Sequence, residues 1–395
     1  MKNNNKKKTS ILKAVILIVV IVVLATVSLG AAFLQFYKPA VDGDTLPFVP
    51  DTVEHPEDGE GENPAETGDE PNSDEETTAP KPKPSDQKYK QQDGVYNFLL
   101  LGYDRVGLNT DVIMIANFNV KTGSVSIMQI PRDTYLDGHR ANAVYGSMYS
   151  KYKKTSDDPY LDALKDFEVL LEQNLCINIQ NSAIIDLEGF IKIVDLLGGV
   201  EVDVPKDMSY SDPYQNLTIN LKKGTQLLSG KQAEGLVRFR DTYKNADISR
   251  LDVQKNFLSA FIKKIKTMSV TTMPSFVREI IGSTTTDMST QDCLYFLKEA
   301  AGIDLGSVVM MTFPTSPEIS YVVANRALAL DMINSHFNVY DTKISDTIFD
   351  RNRVFTDASR NSIHRLYTMA PENYQGYSYD EHSAQELIDT PIKPY

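Results

Sequence analysis

Between Phe98 and Thr134 short apolar runs end repeatedly in charged residues, the pattern of three β-strands with charge gathered at their ends. Phe98-Leu99-Leu100-Leu101 is a continuous apolar run, as expected of a strand buried on both faces. It breaks at Gly102 and delivers Asp104 and Arg105 at its end. Thr110-Asp111 leads into a second strand over Val112 to Phe118. A Lys121-Thr122-Gly123 turn and a third strand from Ser124 to Ile130 follow, and the chain arrives at Pro131-Arg132-Asp133-Thr134. Two aspartates and an arginine are thereby placed at strand ends, where open α/β sheets bind ligands.

Those residue types have a definite chemistry. Paired carboxylates Asp104 and Asp111 suit Mg²⁺, which takes hard oxygen ligands and shares them with phosphates. Arg132, planar and permanently charged, matches two phosphate oxygens at once. From spacing alone, turn aspartates and an ordinary surface ion-pair arginine explain the same pattern.

Downstream, Asp158 to Glu172 fit a helix, Asn181 to Asp186 a strand, and Phe190 to Leu197 a short helix stopping at Gly198-Gly199. Val200 to Pro205 alternates strictly, as a strand with one wet face does. A second charged cluster follows in Arg238-Phe239-Arg240-Asp241, expected in strand-like or turn geometry with both arginines facing one site. Asp247, Arg250 and Gln254 then share one face of a helix reaching about Lys266, with Leu251, Phe257, Leu258, Phe261 and Ile265 on its apolar side. Asp247 is also placed to cap that helix, and the arginines to pair with Asp241, Asp247 and Asp252 on a surface.

Gly102-x-Asp104, Thr110-Asp111-Val112-Ile113-Met114, Ile130-Pro131-Arg132-Asp133-Thr134 and Asn142-Ala143-x-Tyr145 resemble successive motifs of the LytR-CpsA-Psr family. Asp186-Leu187-Glu188-Gly189-Phe190, the Gly198-Gly199-Val200 segment, Met208-x-Tyr210 and Leu221-x-x-Gly224 continue the order, so the resemblance covers roughly Tyr96 to Phe337. It implies an enzyme that moves a glycopolymer phosphate from a polyprenyl-pyrophosphate-linked glycan to a peptidoglycan sugar hydroxyl. By the same resemblance Asp104 and Asp111 hold Mg²⁺, with Asp111 and Arg132 catalytic. Arg132, Arg238, Arg240, Arg250 and Gln254 bind the pyrophosphate, and an apolar tunnel takes the lipid tail. Two positions depart from the family pattern: Asn109 and Val253 stand where arginines are usual. Both remove positive charge from the expected phosphate site, with Arg105 or Lys255 as candidate compensation. They keep a non-catalytic polyprenyl-glycan binder as the alternative.

The N-terminal region sets the location expected for this domain. Lys2, Lys6, Lys7, Lys8 and Lys13 precede Ala14–Tyr37, which contains no charged residue and exceeds the ~20 apolar residues that cross a bilayer. Lysines before the span and acids after it orient the N-terminus to the cytoplasm. Val41 to Pro80 contain no Lys or Arg and are rich in Asp, Glu and Pro, a composition that stays extended rather than folding. Much of the net charge of −13 is therefore local to this stalk.

The expected organisation is a basic cytoplasmic head (1–13), a transmembrane helix (14–37), a disordered acidic stalk (38–94) and an extracellular domain (95–338). A loosely structured tail (339–395) completes it. The domain is expected to be a single α/β (α-β-α type) fold with a mixed central sheet. The five histidines are scattered and Cys176 and Cys293 lie in apolar runs, so neither residue type points to a metal centre. No P-loop, G-x-S-x-G or H-E-x-x-H motif occurs, and a nucleic-acid partner, with the transcriptional role it would serve, is disfavoured by an extracellular domain without a basic face.

Overall fold

A computed structural model describes Pro39 and residues 89–393 apart from 105–107, 137, 240–245, 268–275, 277–281, 319, 351–359, 375 and 377–379. The expected membrane span and most of the stalk lie outside the described residues, as do Arg105 and Arg240. Among the described residues, no helix is long and apolar enough to cross a membrane.

The three strands expected from the sequence form as β1 (Val95–Tyr103), β2 (Thr110–Asn119) and β3 (Ser124–Gln129). They are antiparallel neighbours, β2 and β3 being joined through a tight turn at 120–123. On one side β4 (Asn181–Asp186) adds parallel to β1, and β9 (Thr284–Thr286) adds antiparallel to β4. On the other, β10 (Val308–Thr312) adds parallel to β3 and β11 (His382–Ser383) antiparallel to β10, giving a mixed sheet in the order β9-β4-β1-β2-β3-β10-β11. Strand side chains alternate between faces, and here both faces are apolar. Phe98, Leu100, Met114 and Ile127 enter one core cluster; Leu99, Leu101, Ile113 and Met128 enter the other.

The second face packs on α1 (Ala141–Tyr152) and α2 (Pro159–Leu175), the latter capped by Asp158. Against the first face lie α3 (Leu187–Leu196), α4 (Gly230–Arg238), α5 (Ala246–Lys266) and α6 (Thr290–Glu299). A two-stranded ribbon extends from this layer. It runs out through β5 (Val200–Val204) and β6 (Met208–Asp212) and returns through β7 (Leu217–Leu221) and β8 (Gly224–Leu228). Gly199 turns the chain from α3 into this ribbon at φ +89°, and a Cβ there would meet the Leu228 carbonyl at 2.8 Å.

Two expectations are corrected. The described part of the tail is integrated rather than loose: β11 pairs with β10, and α7 (Ala384–Asp389) packs on α5. Asn256 holds the chain end by donating to the Ile392 carbonyl at 2.7 Å and accepting from its amide at 3.1 Å. The strand-like geometry for Arg238 is also replaced, because Ser229 and Gln232 form a capping box that starts a helix, and Arg238 falls in its last turn. Cys176 and Cys293 are buried in clusters on opposite faces of the sheet and remain free thiols.

Two acidic side chains come together where α2 lies against the edge of the sheet, Glu168 half-buried and Asp287 exposed. Asp287 accepts from the Ser182 amide at 2.9 Å and its hydroxyl at 3.1 Å, while Oε2 of Glu168 is buried without a hydrogen-bond partner. Removal of Glu168 from water, reinforced by the Asp287 charge, pushes its carboxyl up to about 8. A carboxyl raised on folding stabilises the fold below its unfolded value and loses that contribution as pH rises through the folded one. The melting temperature is therefore expected to fall between pH 5 and pH 8. Glu168→Gln is expected to flatten that decline and melt higher than the parent at pH 8. An unchanged pH profile in the variant would contradict the assignment.

Candidate active site

β1 and β2 do not end in register. Gly102 faces Val112 but Tyr103 faces Thr110, so Asp111 is an extra residue in β2. Such bulges bend a strand end and re-aim its side chains. Here Asp111 and Val112 both line the cavity described below, although neighbours in a regular strand point to opposite faces. Across from them Asp104 follows β1, its amide donating to the Asn109 carbonyl at 3.0 Å. Asn109 thus contributes its backbone to the position of Asp104.

Arg132 is presented by a tight turn. The Thr134 amide (3.0 Å) and hydroxyl (2.6 Å) both donate to the Pro131 carbonyl. The start of α1 secures this turn from behind: the Asn142 amide donates to the Arg132 carbonyl at 2.9 Å, and the Asn142 carbonyl accepts from the Thr110 hydroxyl at 3.4 Å. Tyr145, one turn later, packs beside Tyr103 with ring centroids 6.0 Å apart. The Asn142-Ala143-x-Tyr145 motif therefore braces the strand ends and the arginine turn.

The arginines converge on Asp111. Nη1 of Arg132 donates to Asp111 Oδ1 at 2.6 Å, and Nη1 of Arg250 lies 3.8 Å from the same oxygen. Arg250 is 2% exposed, the largest of the fully buried side chains. Arg238 reaches the same cavity from the end of α4. Its Nη1 contacts Glu234 at 2.9 Å, and its Nη2 donates to Gln215 in the turn between β6 and β7. Glu234, itself buried, also pairs with Lys231 at 2.8 Å. Gln254 accepts from the amide of Gln129 on β3 and donates to the Val237 carbonyl at 3.0 Å, linking α5 to the sheet and to the end of α4.

Asp104, Asp111, Arg132, Arg238, Arg250 and Gln254 all line one cavity of about 550 Å³. Its composition is graded along two elements. On β1 the lining runs from Asp104 back to Leu100, roughly 13 Å at strand rise. On one face of α5 it runs from Arg250 through Gln254 to Phe257, Leu258 and Phe261, roughly 16 Å at helical rise. Both lead from charge to hydrocarbon, and Met114, Ile185 and Phe190 complete the apolar end. The cavity can therefore hold an anionic head and an apolar tail at the same time.

Tyr210, Gln215 and Leu217 on the ribbon also line the cavity, and Glu234 orients Arg238, placements that no local sequence pattern announces. The loss of charge at Val253 acquires a different meaning, since Val253 is buried in the apolar core. Lys255, one candidate substitute, pairs with Asp252 at 3.0 Å; Arg105, the other, lies outside the described residues. The described residues contain no cluster of three or more His, Cys, Asp or Glu side chains able to hold a metal. Asp104 and Asp111 both line the cavity, two carboxylates of the kind that a hard cation such as Mg²⁺ takes alongside water and phosphate oxygens.

The domain is thus of α-β-α type, with one cavity that has three arginines at one end and apolar side chains at the other. The model of the LytR_cpsA_psr family matches residues 65–339, and the chain belongs to that family. It is 30% identical over 185 residues to the regulatory protein MsrR of Staphylococcus aureus strain Mu50, covering 44% of this chain and 50% of MsrR. It is 29% identical over 164 residues to the polyisoprenyl-teichoic acid–peptidoglycan teichoic acid transferase TagV of Bacillus subtilis strain 168, covering 40% of each. The chain thus matches half or less of the length of these two relatives. Among solved structures, a LytR-Csp2A-Psr enzyme from Actinomyces oris superposes with a TM-score of 0.50 at 23% identity. That match covers 62% of this chain and 90% of the other, and it supports the fold.

The turn that carries Arg132 offers a direct test of this local reading. Thr134→Val removes the hydroxyl bond to Pro131 and is expected to lower the unfolding free energy by about 1 kcal/mol in urea denaturation. An unchanged midpoint would show that the turn does not depend on that bond.

Proposed function

We propose that this chain transfers a glycopolymer phosphate from a polyprenyl-pyrophosphate-linked donor to a sugar hydroxyl of peptidoglycan. The observation that carries this reading is the graded cavity, with arginines at one end and phenylalanines at the other. A polyprenyl pyrophosphate has the same polarity over its length. The relative TagV is named as a transferase of teichoic acid between polyisoprenyl-teichoic acid and peptidoglycan.

In the proposed reaction the acceptor oxygen attacks the phosphorus attached to the sugar. The new P–O bond forms as the bond to the bridging oxygen breaks, and polyprenyl phosphate leaves with that electron pair. Arg132 and Arg250 neutralise charge that develops on the phosphoryl and leaving oxygens, a contribution that needs fixed donors more than covalent chemistry. Arg238 is held for the same task by Glu234. Arg240 and Gln254 complete the proposed phosphate-binding set, Gln254 by fixing the position of α5. Mg²⁺, bound through Asp104 and Asp111, would neutralise further charge on the bridging phosphates. Asp111 is a candidate to receive the acceptor proton. The apolar end excludes water from the reacting phosphorus and fixes the donor along the cavity. The uncharged run at 14–37 would keep the domain outside the cell beside a donor that stays in the bilayer.

The full chain in vesicles, with a labelled polyprenyl-pyrophosphate oligosaccharide, a peptidoglycan acceptor and Mg²⁺, is expected to move label onto the acceptor. Arg132→Ala is expected to reduce the rate by about 100-fold or more. Tight binding of the lipid-linked donor with no transfer, across several donor glycans, would replace this reading with that of a binding protein.

A further inference from the structure

We propose that Asp111 is an exchangeable counter-ion: it occupies Arg132 and Arg250 while the site is empty and moves to a divalent cation when a pyrophosphate takes its place. This rests on the phosphotransfer reading and adds to it a coupling between the two ligands. Arg250 is 2% exposed and fixed on α5, so its charge needs an anion beside it in every state of the protein. The carboxylate of Asp111 meets that need in the ligand-free structure, accepting from Arg132 at 2.6 Å and lying 3.8 Å from Arg250.

The same carboxylate is one of the pair placed to hold a cation. It cannot serve a cation fully while Oδ1 is engaged by Arg132, and neither arginine can serve a phosphate fully while engaged by Asp111. Each ligand thus releases the group that the other requires. Arg132 and Asp111 are about one-fifth and one-quarter exposed, so both can be reached from the cavity. Nε of Arg132 is also buried without a hydrogen-bond partner, its nearest ion-pair contact being Asp133 at 3.8 Å.

Charge balance points the same way. The cavity lining carries three arginines (132, 238 and 250) and three aspartates (104, 111 and 186), so it is neutral as it stands. A disubstituted pyrophosphate alone adds about two negative charges, and the cation alone adds two positive ones. Both together leave the balance unchanged. The two ligands are therefore expected to bind cooperatively, and by linkage each raises the affinity of the other by the same factor.

The test is calorimetry on the full chain in detergent, with inorganic pyrophosphate in EDTA and with Mg²⁺ alone. Asp111→Asn is expected to raise metal-free pyrophosphate affinity by about tenfold, because the arginines are no longer engaged. Asp133→Asn removes the same charge near Arg132 without breaking the 2.6 Å bond, and so measures the general electrostatic effect. It is expected to change the affinity by no more than about threefold. In the reverse direction Arg132→Gln is expected to raise the affinity for Mg²⁺ alone about fivefold by freeing Asp111.

Metal-free binding that is unchanged or weaker in Asp111→Asn, or equal in the two Asp variants, would overturn the exchange. If Asp111→Asn does not melt cooperatively, the Arg132→Gln measurement decides, and an unchanged Mg²⁺ affinity there overturns it. Transfer without this signature removes the exchange and leaves the function standing. The signature without transfer does the reverse, and absence of pyrophosphate binding in every condition removes both.

Discussion

A guanidinium buried as deeply as that of Arg250 has to be met by an opposite charge, and the rest of the site is arranged around that requirement. The charge comes from Asp111, placed by a one-residue bulge where β2 begins beside the end of β1. The same carboxylate engages Arg132, whose turn is closed by Thr134 and braced by Asn142. Three segments distant in sequence are thereby held to one oxygen atom. A change at any of them alters the compensation of a buried charge, so the site is expected to respond as a unit.

Behind this charged end the protein has spent its sheet and its longest described helix on one cavity. β1 contributes Asp104 at its end and Leu100 at its middle, while α5 contributes Arg250 near its start and Phe261 eleven residues on. Because strand and helix both run from charge to hydrocarbon, polarity changes along the cavity rather than across it. A small polar substrate would leave the apolar end unfilled, and a simple lipid would leave the arginines facing their own aspartates. A molecule with a pyrophosphate at one end and a hydrocarbon chain at the other uses both.

Local pattern was sufficient for β1, β2 and β3, for α2 and for the helical face that carries Arg250 and Gln254, since period and turn residues announce them. The motif order also led to the residues that meet in the cavity. Other features depended on contacts that no local pattern contains. The two-residue spacing of Arg238 and Arg240 suits strand-like or turn geometry, whereas the Ser229 capping box upstream starts a helix that reaches Arg238. Glu234 is an unremarkable helical acid until α4 packs and buries it beside Arg238 and Lys231. The C-terminal residues join the sheet through the edge of β10, a backbone template with little dependence on the sequence that pairs with it. Val253 stands where the family pattern suggests a charge and is a core residue, because successive residues of a helix point in different directions and only some of α5 faces the cavity.

The central claim is that one molecule spans both ends of this cavity, and the most direct measurement is a crystal structure of the protein with a polyprenyl pyrophosphate bound. The account predicts the pyrophosphate within hydrogen-bonding distance of Arg132 and Arg250, and the hydrocarbon chain between Phe190, Phe257 and Phe261. A chain lying elsewhere on the surface, or a head group seated away from those two arginines, would contradict it.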